Sequence, residues 1–324
     1  FTTQAQEKFT LSGTITDTNS NETLIGVSIV FPDLSDGVVT NSYGFYSITL
    51  PEGPHKIEIR YLGYATIFDT INLTEDIRKN FTLEEVLESL DEVIIEEKVE
   101  RVRIRKPQMS VNALSSETIK DIPVVLGEAD VIKAILLLPG VTSAGEGASG
   151  FNVRGGAADQ NLILLDEATI FNSSHLFGFF SVFNPDAIKD VKLYKGGIPA
   201  EYGGRASSVM DVKMRDGNRK KFGASGGIGL ISSRLTLEAP IVKDKGSFMI
   251  SGRRSYLDKV FSTANKLRGK DDTFILYFYD LNVKANYTIN ENNRVFLSGY
   301  FGRDVLKIPD LIGFDWGNAT GTVR

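Results

Sequence analysis

The sequence predicts a mainly β protein in three parts: an N-terminal β-sandwich, a small α+β domain, and the first strands of a transmembrane antiparallel β-barrel. Three observations carry that prediction. Between residues 9 and 83, short period-two runs are broken by tight turns. Between Leu138 and Met214, short strands, a Pro-initiated helix and many glycines alternate, as in a compact domain with sharp turns. From Ile275 to Asn290, apolar and polar residues alternate over a stretch longer than most soluble strands.

Composition narrows the function classes. At 324 residues the chain has room for two or three domains. A formal net charge of −5 gives no overall basic field, so nothing points to nucleic acid. There is no cysteine, which excludes disulfides and thiol chemistry. His55 and His175 lie far apart without cysteine companions, so no Zn site is expected. No apolar run reaches the roughly 18 residues of a membrane helix; Val131–Leu138 contains Lys133 and stops at Pro139-Gly140. That excludes membrane helices and not a membrane, because barrel strands carry only an alternating signal. No signal peptide is visible at Phe1, so a mature or cytosolic N-terminus is expected.

In the first part, Phe9, Leu11 and Ile15 alternate with polar positions, and so do Val27, Ile29 and Phe31. Tyr46, Ile48 and Leu50 form another inward row, and Ile57, Ile59 and Tyr61 oppose Lys56, Glu58 and Arg60. Turns fall at Asp36-Gly37, Tyr43-Gly44 and Pro51-Glu52-Gly53. The phrases GTITD (13–17), LIGVSIVF (24–31), TNSYGFYSITLPEG (40–53) and IRYLGY (59–64) resemble the carboxypeptidase-regulatory-like domain. Despite its name, that module brings no catalytic residues. A generic Ig-like spacer is the alternative.

Residues 84–107 read as a charged linker, acidic first and then basic. Within it, Leu90, Asp91, Glu92, Val93, Ile94 and Ile95 form a strand without a partner, able to add to the edge of another protein's sheet. It is similar to the TonB box of TonB-dependent outer-membrane transporters. The alternative is that it is the last strand of the sandwich.

The α+β domain is expected over 108–216. Val131, Ile132, Ile135, Leu136 and Leu138 recur at helical spacing and read as core. Gly145 to Gly150 spell a GxGxxG, but a helix precedes and a strand follows, the reverse of a dinucleotide site. Leu162–Leu165 form a buried-type strand, and Asn184-Pro185-Asp186 reads as a helix start. Phe151-Asn152-Val153-Arg154-Gly155-Gly156 and Glu201-Tyr202-Gly203-Gly204-Arg205-Ala206 resemble the two arginine-glycine motifs of the transporter plug. The resemblance implies that Arg154 and Arg205 latch the plug by pairing with acids of the inner barrel wall, expected beyond Arg324. It also places the loop Ile170–Phe183 toward the outer vestibule, where Phe171, Asn172 and His175 are candidate cargo contacts beside phenylalanines that pack.

The last part is expected over 217–324. Ile275, Tyr277, Tyr279, Leu281, Val283, Ala285, Tyr287 and Ile289 form one apolar row opposite Asp280, Asn282, Lys284, Asn286, Thr288 and Asn290. Tyr277 and Tyr287 stand about 33 Å apart along a strand, which projects to roughly 25 Å at a tilt of about 40°, the height of a barrel's apolar band. Lipid-out and polar-in is the reading. Further strands are expected at Phe222–Ile231, Ser233–Ala239, Ser247–Arg254 and Asn293–Arg303, with short turns at 243–246 and 290–293 and a longer loop from Ser255 to Asp272. The family's barrels have 22 strands, and only about five or six fit before Arg324, so the chain is expected to be part of a longer protein.

Taken together, the resemblance implies TonB-dependent uptake across the bacterial outer membrane, with the sandwich and TonB box in the periplasm. It implies TonB with its inner-membrane energising complex and outer-membrane lipid as partners, and leaves open a surface lipoprotein. No cofactor, metal or catalytic constellation is expected, so the chain does not read as an enzyme. Chelated iron, a vitamin, an oligosaccharide or a peptide all remain open as cargo. The alternatives are a plugged-barrel receptor or scaffold subunit without transport, and a soluble surface-binding protein built on the sandwich.

Overall fold

The computed structural model describes residues 7–86, 103–104, 111–122, 128–145, 150–267, 275–290, 293–308 and 311–324. The chain divides into two compact units, Phe1–Pro107 and Gln108–Arg324.

The first unit holds β1 (Lys8–Asp17), β2 (Ser28–Phe31), β3 (Asp36–Val39), β4 (Phe45–Pro51), β5 (Gly53–Arg60), β6 (Ile67–Leu73), β7 (Ile77–Arg78), β8 (Phe81–Leu83) and β9 (Arg103–Ile104). One sheet is built on β1, which pairs antiparallel with β4 and parallel with β7 and β8. The other runs β6-β5-β2-β3-β9. The alternating residues meet in one apolar core: Leu11, Ile15, Ile29, Phe31, Tyr46, Leu50, Ile57 and Ile59 are all buried. Burying such a side chain contributes about 1.5–3 kcal/mol each. Gly13 lets β1 pass close to the β7–β8 connection, since a Cβ there would overlap the carbonyl oxygen of Lys79. That carbonyl accepts from the buried Tyr46 hydroxyl at 2.7 Å. His55 is structural too, with Nε2 2.7 Å from the Pro51 carbonyl. Two parts of the expected linker are joined to this unit: Ala65 N–H donates to Glu84 O at 2.9 Å, and β9 lies parallel to β3.

The second unit begins with β10 (Val111–Ser115), α1 (Ser116–Asp121) and α2 (Val131–Leu136). Ser115 caps α1, and Asp130 caps α2 by accepting from Lys133 N–H at 3.1 Å. The helical stripe stops two residues earlier than the periodicity predicts; Leu137 and Leu138 continue it as a tighter turn before Pro139-Gly140. There follow β11 (Val141–Ser143), β12 (Phe151–Val153), β13 (Asn161–Leu165), β14 (Ala168–Thr169), β15 (Ser174–His175), β16 (Phe180–Ser181), β17 (Ile188–Tyr194) and β18 (Ser208–Met214). The central sheet has the order β10-β17-β18-β13-β14, and only the β13–β18 pair is parallel. Its core joins Val131, Ile135, Phe151, Ile163, Val191, Leu193, Met210 and Val212.

Asn184-Pro185-Asp186 does not start a helix, contrary to expectation. Asn184 Oδ1 accepts from Asp186 N–H and its carbonyl from Ala187 N–H, closing a turn that leads directly into β17. Capping residues serve turns as readily as helices.

The chain then makes one antiparallel sheet of six strands in sequence order: β19 (Gly223–Ile228), β20 (Ser232–Val242), β21 (Gly246–Ser255), β22 (Ile275–Asn290), β23 (Asn293–Ile308) and β24 (Ile312–Val323). β22 and β23 stay paired from Ile275–Lys307 to Asn290–Asn293. The connection between β21 and β22 carries α3 (Leu257–Leu267), which the sequence pattern did not reveal. Among the described residues no helix is long and apolar enough to cross a membrane.

Candidate functional site

The six-stranded sheet is polar on its buried face. Along β22, Asp280, Asn282, Lys284 and Asn286 are buried, whereas Leu281, Tyr287 and Ile289 are exposed. Buried charges need partners, and the α+β domain supplies them in two layers.

In the layer next to the β21–β22 connection, Arg253 of β21 is the centre. Its Nε donates to Asp280 Oδ2 at 2.7 Å, Nη1 to Glu128 Oε2 at 3.2 Å, and Nη2 to the Ser181 carbonyl at 2.7 Å. Ser232 Oγ donates to the same Glu128. Asp280 Oδ1 also accepts from Tyr300 Oη at 2.8 Å, across Gly302, where any Cβ would overlap that hydroxyl. His175 completes the layer: Nε2 lies 2.5 Å from Asp280 Oδ1 and Nδ1 2.7 Å from Asp304 Oδ2. Burial pushes the pKa of this imidazole down, but the two carboxylates outweigh it and hold the value above the ordinary histidine range.

In the layer next to the β20–β21 and β22–β23 turns, Lys284 reaches Asp166 Oδ2 and Asp216 Oδ1, both at 3.1 Å, and donates to the Met214 carbonyl at 2.7 Å. Arg294 adds a bond to Asp216 Oδ2 at 3.0 Å. Asp166 is aimed by the β13–β14 hairpin, whose central residues Asp166 and Glu167 both have positive φ, the backbone a two-residue hairpin favours. Burial raises the Asp216 pKa, yet Lys284 and Arg294 outweigh it and keep the carboxyl well below the usual carboxylate range. Asp186, just before β17, behaves alike: Lys120 at 2.9 Å and Arg234 at 2.5 Å outweigh its burial and hold it low. Arg215 makes a pair of the opposite sense with Glu238 of β20 at 3.2 Å.

The residues singled out from sequence fall unevenly on this arrangement. Arg154 and Arg205 are exposed, Arg154 with φ 49 before Gly155, and neither belongs to the charge layers described. Phe171 is 82 % exposed; Asn172 is half-buried, and its carbonyl accepts from Asn318 at 2.8 Å. His175 departs from its expected role. It is 1 % exposed, with both ring nitrogens engaged, so it is closed to direct cargo contact. Leu90–Ile95 lie outside the described residues. Arg253, Lys284, Arg294, Asp166, Asp186 and Asp216 were not recognised from sequence as a site. Their only signal was a place in the polar row or at a strand end, and neither names a partner. No group among the described residues is arranged to hold a metal ion.

Residues 103–209 match the family described as TonB-dependent Receptor Plug Domain. The chain therefore carries a TonB-dependent receptor plug. Residues 11–95 match the CarboxypepD_reg-like domain, a span that includes Leu90 to Ile95. The fold class follows: a β-sandwich, an α+β plug and the first strands of an antiparallel barrel wall.

Among solved structures, the siderophore receptor PirA from Acinetobacter baumannii is 18% identical, with a TM-score of 0.45 over 61% of this chain and 32% of its own. A mutant of the ferric enterobactin receptor PfeA from Pseudomonas aeruginosa is 16% identical, with a TM-score of 0.42 over 62% of this chain and 33% of its own. The outer membrane transporter YddB from Escherichia coli is 14% identical, with a TM-score of 0.46 over 66% of this chain and 36% of its own. The chain thus spans about a third of each of these proteins. No curated protein matches it.

Proposed function

We propose that the full protein is a TonB-dependent transporter of the bacterial outer membrane, taking up a substrate through a barrel whose lumen the plug fills. The observation that carries this is the inverted polarity of β22: a charged row buried against the plug and an apolar row facing outward. In water that outward row would be a large exposed apolar surface; in lipid it is the wall a barrel needs. The domain boundaries proposed are 1–83 for the sandwich, 84–107 for the tether, 108–216 for the plug and 217–324 for the wall strands.

The geometry suits a plug that must move. Plug and wall meet through ion pairs and hydrogen bonds, which water can replace, beside apolar contacts such as Phe180 with Phe278. A pull on the plug can therefore exchange protein partners for water, one layer at a time. The pull is proposed to come from TonB pairing with Leu90–Ile95 in the periplasm by strand addition, driven by the inner-membrane energising complex. Cargo is proposed to enter from the other end, where Phe171, Asn172 and the neighbouring Phe177 and Phe179 line the plug loop; a surface lipoprotein over that end is compatible with this. Arg154 and Arg205 are proposed to latch the plug to acids of the completed wall. The proposed role involves no enzymatic chemistry.

One finding favours a second reading, a plugged receptor or scaffold without energised transport: the sandwich match runs through residue 95 and so absorbs the segment proposed as the TonB box. Binding of TonB's periplasmic domain to the detergent-purified full protein separates the two. Deleting 90–95 is expected to abolish binding. Undiminished binding would overturn the assignment of that segment, and absence of binding by the intact protein would favour the scaffold.

A further inference from the structure

His175 lies in the plug loop, between two carboxylates that belong to two different wall strands. Asp280 of β22 faces Nε2, and Asp304 of β23 faces Nδ1. A neutral imidazole has one N–H and can donate to only one of them; both bonds form only when both nitrogens carry protons. An ionised carboxylate can only accept. Asp280 already accepts from Arg253 Nε and Tyr300 Oη, and Asp304 Oδ1 accepts from Leu176 N–H at 2.8 Å.

The remaining charged groups around the ring point the same way. Arg253 comes from β21, and Glu128 and Asp130 come from the segment before α2. Lys133 of α2 stands 5.7 Å from the Phe180 ring centroid. Without a proton on His175, Arg253 is left as the cation paired with the buried carboxylates of Glu128 and Asp280. The ring also stacks on Phe278, centroids 4.4 Å apart and planes 10° from parallel.

The same contact fixes a backbone that would not hold itself. Leu176 and Phe177 are consecutive non-glycine residues with φ of 49° and 56°, a left-handed conformation that side chains disfavour. It persists where Asp304 grips Leu176 N–H, and it sets Phe177 5.1 Å from Trp316.

We infer that His175, as an imidazolium, fastens the outer loop of the plug to the wall, and that loss of one proton releases this loop while the Lys284 layer stays closed. The fastening concerns plug and wall alone and does not depend on what the protein carries. Its raised pKa sets the direction. The contribution is complete below the unfolded histidine value of about 6.5 and is lost as pH rises through the higher folded-state value. The second layer, built on Lys284, Arg294, Asp166 and Asp216, holds no histidine.

The test is hydrogen exchange on the full protein in detergent between about pH 6 and 9, corrected for the base catalysis of the chemical step. Protection across residues 170–183 should fall, by up to about tenfold per pH unit between the unfolded histidine value of about 6.5 and the higher folded-state value, and level off above it. Residues 208–216 serve as the internal reference and should not change. His175→Gln should leave the loop weakly protected at every pH. Asp304→Asn keeps an oxygen for Leu176 N–H but removes one charge, so the fall should be smaller and level off at lower pH. A wild-type loop whose protection does not change with pH overturns the inference, as does a fall of equal size at 208–216. An Asp304→Asn profile that coincides with wild type overturns the pairing.

Discussion

The two units use one alternation in opposite senses. In the sandwich, β1 and β4 turn Leu11, Ile15, Ile48 and Leu50 inward and leave threonines and serines outside. In the wall, β22 turns Asp280, Asn282, Lys284 and Asn286 inward and leaves Leu281, Tyr287 and Ile289 outside. A period of two says only that a strand has two different faces; what lies against each face decides which is buried. The energetics differ accordingly. The sandwich is held by apolar area removed from water. The charged plug–wall layers add little net stability as assembled, because desolvation offsets attraction, but they are costly to break from one side.

That contrast can be broken in order of expected effect. Arg253→Met strands Glu128 without its cation and leaves Asp280 with His175 as its charged partner, and chemical denaturation of the detergent-solubilised protein should show a loss of about 3–5 kcal/mol. Ile59→Ala in the sandwich should cost about 2–5 kcal/mol, read in the transition of the first unit alone. Leu281→Arg, on the outer face of β22, should lower the stability of the folded wall in bilayers by about 2–4 kcal/mol if that position lies near the midplane. Leu281→Ala at the same exposed position should stay within about 0.5 kcal/mol; a cost like that of Ile59→Ala would mean that the outer row packs a core.

A smaller effect separates the units by pH. Asp186 and Asp216 are held below the usual carboxylate range by their cations. Their contribution is complete above the unfolded value of about 3.9 and fades as pH falls through the lower folded values. Acid should therefore loosen the plug–wall layers before the sandwich, and tryptophan fluorescence from Trp316 against far-UV circular dichroism is one way to follow the order.

The sandwich core and the polarity of β22 were legible because each depends on local alternation. β24 was not foreseen: Gly313, Gly317 and Gly321 interrupt its pattern, and Asp315 sits on its outer row beside Arg303. Asn184-Pro185-Asp186 misled because the same side chains cap helices and close turns. His175 reads from sequence as a cargo contact because of its aromatic company; the carboxylates it meets lie 105 and 129 residues away in sequence. Pairing across such distances is set by the fold, so the polar row announced a buried charged face without naming its partners.

The most direct test of the inverted wall uses the absence of cysteine in this chain. Single cysteines at Leu281, Asn282, Val283 and Asn286, each spin-labelled in bilayers, report contact with lipid-soluble oxygen against a water-soluble nickel chelate. The account predicts strong oxygen access at 281 and 283 and shielding from lipid at 282 and 286. Equal access along the strand, or lipid contact at 282 and 286, would contradict it.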